Sequence, residues 1–309
     1  MDHEKERSMA VTIDEGKDFI VTHDEETNTQ RVGEEQRDDY PNAHLLVEPD
    51  WVQEHAASSD IILLDARAQG YGEGHIPGAS WLDVKRLKDT AGRTFASAEA
   101  IREVFNESGG RAGSTIVVYD DGGGVTAARV FYVLEAFGWR DRVKVLNGGF
   151  AAWKAAGHTV TTEALSAGPG SVAQLTLDER SVATKEHIQA RLEGAVILDT
   201  RSREEYTGED TRNNRKGGHI PGAVHREWKD SLLPPDENGV VRFKPAGQLL
   251  QEFEEAGVRR DRVIVPHCQS NQRGAHTYFV LRLLGYEDVR PYEGSWDEWG
   301  NAEDTEVEL

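Results

Sequence analysis

The sequence predicts an α/β protein of two tandem domains, each a parallel sheet flanked by helices. Three observations lead there. The length, 309 residues, is long for one domain and natural for two. Short apolar runs alternate with helical segments, the pattern of a parallel sheet covered by helices. An ordered series of motifs also occurs twice, which marks a tandem duplication.

The elements follow in chain order. Residues 1–40 are rich in Asp, Glu, Thr, Gln and Arg without a sustained apolar period, and read as an acidic, disordered extension. The first domain is expected over 41–160. Leu45-Leu46-Val47 leads to Pro49-Asp50-Trp51, which opens a short helix. Ile61–Asp65 is a buried strand by its apolar continuity. It ends in Asp65-Ala66-Arg67, and Gly74-His75-Ile76-Pro77-Gly78-Ala79 follows. The same order returns later. Val196–Asp199 repeats the strand, Asp199-Thr200-Arg201 its D-x-R ending, and Gly218–Ala223 the GHIPGA segment letter for letter. Ile116–Asp120 matches Ile264–Cys268, and Phe131–Leu134 matches Tyr278–Leu281. Gly148-Gly149-Phe150 through Trp153 matches Gly294-Ser295-Trp296 through Trp299. The join, 161–175, has linker composition, and the second domain is expected over 176–309.

The stretch Val263–Gly285 concentrates the chemistry. An apolar run passes through Pro266 and His267 to Cys268, the single cysteine. The polar hexad Cys268-Gln269-Ser270-Asn271-Gln272-Arg273 follows, then a pattern read as an amphipathic helix. A cysteine at a strand end, under a helix N-terminus, faces unpaired N–H groups and the positive end of the helix dipole. Curled loop N–H groups form an anion-binding concavity. Both favour the thiolate, the nucleophilic form, and Arg273 adds a fixed positive charge. The first half carries Asp120 in the place of Cys268, within Asp120-Asp121-Gly122-Gly123-Gly124. That run lacks the Lys and Ser/Thr of a phosphate-binding loop and reads as a degenerate, structural copy.

Composition narrows the partners. The net charge is −20, from 55 acidic against 35 basic residues, and only 10 of the basic residues are Lys. Such a surface repels nucleic acid and anionic membrane, so neither is an expected partner. One cysteine excludes an intrachain disulfide and suits a reducing compartment. No apolar run approaches the ~20 residues of a membrane span. The expectation is a cytoplasmic monomer.

On its paired D-x-R and GHIPGA segments, its Cys268–Arg273 loop and its closing Gly294-Ser295-Trp296-Asp297-Glu298-Trp299-Gly300, the chain resembles the rhodanese family of sulfurtransferases in its tandem form. The resemblance covers about 40–301. It implies two rhodanese-like domains, the first inactive and the second catalytic, with no metal and no organic cofactor. The loop is similar to the bacterial thiosulfate-type loop C-Q-T-H-H-R at Cys268, Gln269 and Arg273; Ser270, Asn271 and Gln272 differ. It is less like the mercaptopyruvate-type C-G-S-G-V-T. That type also has an Arg before the aromatic matched by Tyr206, where this chain has Glu205.

The resemblance implies a thiosulfate sulfurtransferase. Cys268 and Arg273 are the expected catalytic residues. Gln269, Ser270, Asn271 and Gln272 are expected to bind the donor, together with Arg212 and Arg215. The expected partners are thiosulfate and a thiophilic acceptor, cyanide or a thiol, free or on a protein. His75, His219, Asp65, Asp199, Trp296 and Trp299 are expected to be structural, and His267 to point away from the cysteine. Three readings stand beside this one. They are a mercaptopyruvate sulfurtransferase, a persulfide carrier that docks proteins, and a cysteine phosphatase. The last needs Cys-x5-Arg, whereas four residues separate Cys268 from Arg273.

Overall fold

The computed structural model describes residues 40–165, 168, 170–192 and 194–309. The expected N-terminal extension lies outside the described residues except for Tyr40, which is buried and donates its hydroxyl to the Lys244 carbonyl.

The first half runs β1 (Leu46–Val47), α1 (Pro49–His55), β2 (Ile61–Asp65), β3 (Ala79–Trp81), α2 (Ala98–Glu107), β4 (Thr115–Tyr119), α3 (Val125–Ala136), β5 (Val143–Leu146) and α4 (Gly149–Ala155). Its strands form one parallel sheet in the order β1-β5-β4-β2-β3. The second half runs α5 (Lys185–Gln189), β6 (Val196–Asp199), α6 (Arg203–Thr207), β7 (Val224–His225), α7 (Ala246–Glu255), β8 (Ile264–His267), α8 (Gln272–Leu283) and α9 (Ser295–Trp299). Its parallel sheet has the order β7-β6-β8. Isolated parallel bridges, Ile264 to Val289 and Ala183 to Tyr292, stand where β5 and β1 would lie. The central strands are apolar because helices cover both faces of a parallel sheet.

The repeated motifs brace each half in the same way. Arg67 grips the Asp65 carboxylate through Nε at 2.9 Å and Nη2 at 2.5 Å, and donates to the Gly74 carbonyl at 2.7 Å. Arg201 does the same to Asp199 at 3.0 and 2.6 Å and to the Gly218 carbonyl at 2.7 Å. Each D-x-R arginine thus ties a strand end to its GHIPGA turn. His75 stacks on Tyr71 at 3.8 Å, and His219 on Tyr206 at 3.7 Å. These histidines are structural, as expected.

The two halves share one core. α3 and α8, the helices that follow the two loops, pack on each other through Phe131 against Phe279 at 4.8 Å and Tyr132 against Tyr278 at 5.0 Å. This corrects the expectation that α8 is amphipathic. Every residue from Gly274 to Leu283 is buried, because one face meets its own sheet and the other meets α3. A helix enclosed on all sides shows no polar stripe.

The stretch of linker composition is also pinned in place. Thr161 pairs with His75, Ser171 donates to the Gly110 carbonyl at 2.7 Å, and Val172 and Leu175 join the core. Ser166, Ala167 and Pro169 within it lie outside the described residues. Among the described residues no helix is long and apolar enough to cross a membrane.

Candidate active site

Cys268 follows the last residue of β8 and lies three residues before Asn271, which caps α8 in the left-handed conformation at φ 55°. Polar Asn tolerates that conformation better than most residues. It turns the chain sharply into the helix, so that the cysteine lies beneath the helix start. Cys268 is 1% exposed. Its N–H donates to Ser295 Oγ at 3.3 Å, and its carbonyl accepts from Trp296 N at 2.9 Å.

The first-half loop explains the design. Asp120 folds its carboxylate back into its own loop. Oδ1 accepts from Gly122 N at 2.9 Å and Gly124 N at 3.0 Å; Oδ2 accepts from Thr126 N at 3.1 Å and Ala127 N at 3.3 Å. The concavity of backbone N–H groups is therefore formed there and filled by a carboxylate. The second half keeps the same strand, turn and helix, with Cys268 in place of the internal anion. Its loop has one residue fewer between the strand end and the helix cap, Asn271 standing where Gly124 stands.

Ser295 is a contributor that the motif match did not single out. It adopts φ 51° where Gly149 of the first half adopts φ 57°. A Cβ on Gly149 would lie 2.4 Å from the Asp120 carbonyl. The second half accommodates a side chain there, and its hydroxyl holds the Cys268 N–H while donating to the Tyr292 carbonyl at 2.9 Å. The sequence signal was a non-glycine at a position whose counterpart is glycine.

The expected donor-binding residues divide into groups. Arg273 makes a two-pronged ion pair with Glu205, Nη1 to Oε2 at 2.6 Å and Nη2 to Oε1 at 2.9 Å. Glu205 is the third residue of α6 and completes a capping box with Ser202. Burial raises the Glu205 pKa, but the Arg273 guanidinium, the Ser202 N–H and Arg212 together hold the carboxyl below its ordinary value. Arg212 reaches the same carboxylate at 3.9 Å and is half-exposed. Arg215 points instead to Glu303 at 3.5 Å, and the neighbouring Lys216 caps Thr305 at 2.7 Å. Gln269 exchanges amide hydrogen bonds with Asn214 at 3.0 and 3.1 Å. Ser270 and Gln272 are partly exposed on the loop.

Asn271 is fully buried, and its Nδ2 donates to Glu293 Oε2 at 2.7 Å. Glu293 also receives Arg129 of α3 at 2.7 and 2.5 Å and Lys88 at 3.5 Å. The first half therefore reaches the Cys268 loop through two cations. Sequence reading missed both, because nothing along the chain links residues 88 and 129 to residue 293.

The remaining candidates are structural. His267 is buried and faces Asp199 at 3.6 Å, and burial pushes its pKa down to about 4 against the pull of that carboxylate. It is neutral near pH 7 and turned from the cysteine. Trp296 lies under the Arg201 guanidinium at 4.2 Å and is 1% exposed. Trp299 donates to the Glu306 carbonyl at 2.8 Å. No group of three or more metal-ligating side chains occurs among the described residues.

Comparison with known proteins shows the family of the chain. The sequence profile of the rhodanese-like domain matches twice, at residues 48–156 and 184–302. A thiosulfate sulfurtransferase of Azotobacter vinelandii is 39% identical over 278 residues, covering 88% of this chain and 100% of that protein. One from Pseudomonas aeruginosa is 36% identical over 272 residues, covering 86% and 97%. A sulfur carrier protein of Thermus thermophilus is 36% identical over 278 residues, covering 85% and 95%. Among solved structures, the anaerobic ergothioneine biosynthesis enzyme of Chlorobium limicola superposes with a TM-score of 0.77 at 22% identity, covering 87% of this chain and 71% of that one. At that identity the likeness is one of fold. With two profile matches spanning both sheets, and a lone cysteine where the second parallel sheet meets a helix N-terminus, the chain belongs to the rhodanese family.

Proposed function

We propose that the protein is a thiosulfate sulfurtransferase working through a persulfide on Cys268. The observation that carries this reading is the pair of loops. One wraps its N–H groups around the Asp120 carboxylate, and its counterpart, one residue shorter, carries Cys268 at the same strand end before the same helix. A persulfide anion takes the place of the carboxylate. The names of the relatives from Azotobacter and Pseudomonas support thiosulfate as donor. Residues 41–160 are then the inert copy and 176–309 the catalytic one.

The steps balance simply. The Cys268 thiolate attacks the outer sulfur of thiosulfate, and the S–S bond of the donor breaks. Sulfite leaves with the electron pair, and Cys268–S–S⁻ remains. A thiophilic acceptor then attacks the outer sulfur, and the cysteine thiolate is released. With cyanide in the assay, thiocyanate forms. This is covalent catalysis with ping-pong kinetics. The loop N–H groups and the helix N-terminus stabilise the anion on either side of each step. Gln269, Ser270 and Gln272 line the approach, Asn271 holds the loop, and Arg273 and Arg212 supply charge next to Glu205.

Glu205 disfavours a mercaptopyruvate preference, since a carboxylate stands where that chemistry requires a cation. The test is mass spectrometry after thiosulfate treatment. Wild type should gain one sulfur atom that cyanide removes, and Cys268→Ser should gain none and lose sulfur transfer with its fold retained. Turnover in Cys268→Ser above a few per cent of wild type would sink the mechanism.

A further inference from the structure

The two halves cover each other's loops with side chains of different character. In each half a 3-10 turn follows the strand after GHIPGA, Val84–Leu87 in one and Trp228–Ser231 in the other. The next residue bridges to a phenylalanine in both: Lys88 to Phe95, and Leu232 to Phe243. Lys88 thus occupies the place of Leu232. The fifth residue of the following helix is Arg129 in α3 and His276 in α8. Over the inert loop the second half lays neutral groups, with Phe243 and His276 against Gly124, and Val240 against Gly148. Towards the Cys268 loop the first half presents Lys88 and Arg129.

These cations border a cavity of about 420 Å³, lined by Lys85, Lys88, Asp89 and Arg129 of the first half and Gln272 of the catalytic loop. Three cations there meet two carboxylates, Asp89 and the adjoining Glu293. Asp89 is turned into its own loop, accepting from Arg93 N at 2.8 Å. Among the described residues the Lys88 ammonium makes a single long bond, 3.5 Å to Glu293, and it is 10% exposed. Arg129 is 1% exposed, and its Nε–H has no partner among the described residues. A buried, unfilled guanidinium donor beside an under-bonded ammonium is costly unless an anion completes it. The cavity meets the Cys268 loop through Gln272 on its wall and through Asn271, whose Nδ2 donates to the same Glu293 carboxylate at 2.7 Å. The turn is fixed against the second half by Arg93 and Asp297 at 3.6 Å.

We propose that the first half, inert in chemistry, supplies the anion seat of the reaction: Lys88 and Arg129 hold the oxygen-bearing end of a tetrahedral sulfur oxyanion in this cavity, with its outer sulfur towards Cys268. The inference rests on the proposed function for its choice of donor, but the anion seat itself is testable without turnover. It also accounts for a donor site in a protein of net charge −20, since local cations overcome the long-range repulsion.

Lys88→Met removes the charge, and Lys88→Arg keeps it. Two measurements are made. The first is persulfide loading from thiosulfate, followed separately from discharge to cyanide. The second is sulfate binding by calorimetry in a Cys268→Ser background, where no chemistry occurs. Lys88→Met should raise the thiosulfate concentration for half-maximal loading about ten- to hundredfold, the range of a lost charge-assisted bond. Discharge should change less than about threefold. Sulfate affinity should fall by a similar factor, and Lys88→Arg should restore most of both. Sulfate affinity unchanged by Lys88→Met, or no sulfate binding at all, overturns the anion seat. Wild type that fails to load from thiosulfate refutes the proposed function, and the sulfate comparison still decides the seat.

Discussion

The pairing of Arg273 with Glu205 yields a prediction that separates two roles of one residue. In Arg273→Ala the Glu205 carboxylate, 2% exposed, loses both hydrogen bonds of its ion pair. The Ser202 N–H at 3.2 Å and the half-exposed Arg212 at 3.9 Å remain. Breaking a fully buried pair costs about 3–5 kcal/mol because the other charge stays behind. Arg273 is 18% exposed, so the lower end, about 3 kcal/mol, applies. Adding Glu205→Gln to Arg273→Ala removes the stranded charge and should recover about 1–2 kcal/mol. Urea unfolding of the four members of this cycle measures the coupling. Glu205→Gln alone tests donor attraction. Its amide keeps an acceptor for Arg273, while the site becomes one charge more positive. For a dianion roughly 8 Å away, that charge is worth about 1 kcal/mol at the dielectric of water and about 4 at an effective value of 20. The half-exposed Arg212 beside Glu205 and solvent around it screen this charge, so the lower figure applies and KM for thiosulfate should fall about five- to tenfold with kcat little changed. A cost below about 1 kcal/mol for Arg273→Ala, or an unchanged KM in Glu205→Gln, would refute the reasoning.

Two further predictions concern the first half and the shared core. Asp120→Ala leaves four backbone N–H groups without their acceptor and should cost about 2–4 kcal/mol in urea unfolding, while kcat/KM of the folded protein falls less than about tenfold; a loss of several hundredfold at unchanged stability would place the first loop in the chemistry. His276 is buried between Trp228 and Phe243, and burial pushes its pKa down to about 3 against a weaker upward pull from the Gly123 backbone. The unfolded chain binds a proton near pH 6.5 that the folded chain refuses, so this contribution to stability is complete above that pH and lost as pH falls towards 3. The stability difference between pH 7.5 and pH 5 should therefore shrink by about 2 kcal/mol in His276→Phe, and an unchanged difference would mean that the ring is protonated without penalty.

The sequence by itself determined the duplication, the parallel α/β architecture and the place of the lone cysteine between a strand and a helix. These are signals carried along the chain. Apolar runs mark central strands, glycines mark turns, and a lone cysteine between strand and helix marks the loop. Even the bracing of Asp65 by Arg67 and of Asp199 by Arg201 was legible, because the partners are two residues apart. The enclosure of α8 was not, since its apolar content looks the same whether one face or both are covered. Only the tertiary structure decided which charges meet around Cys268. Glu205 reaches Arg273 across 68 residues, and Arg129 reaches Glu293 across 164. Those meetings exist because α3 and α8 pack face to face and bring each half over the other's loop. An ion pair between distant positions leaves no period and no local preference in the sequence. It arises from packing geometry, which the whole fold creates at once.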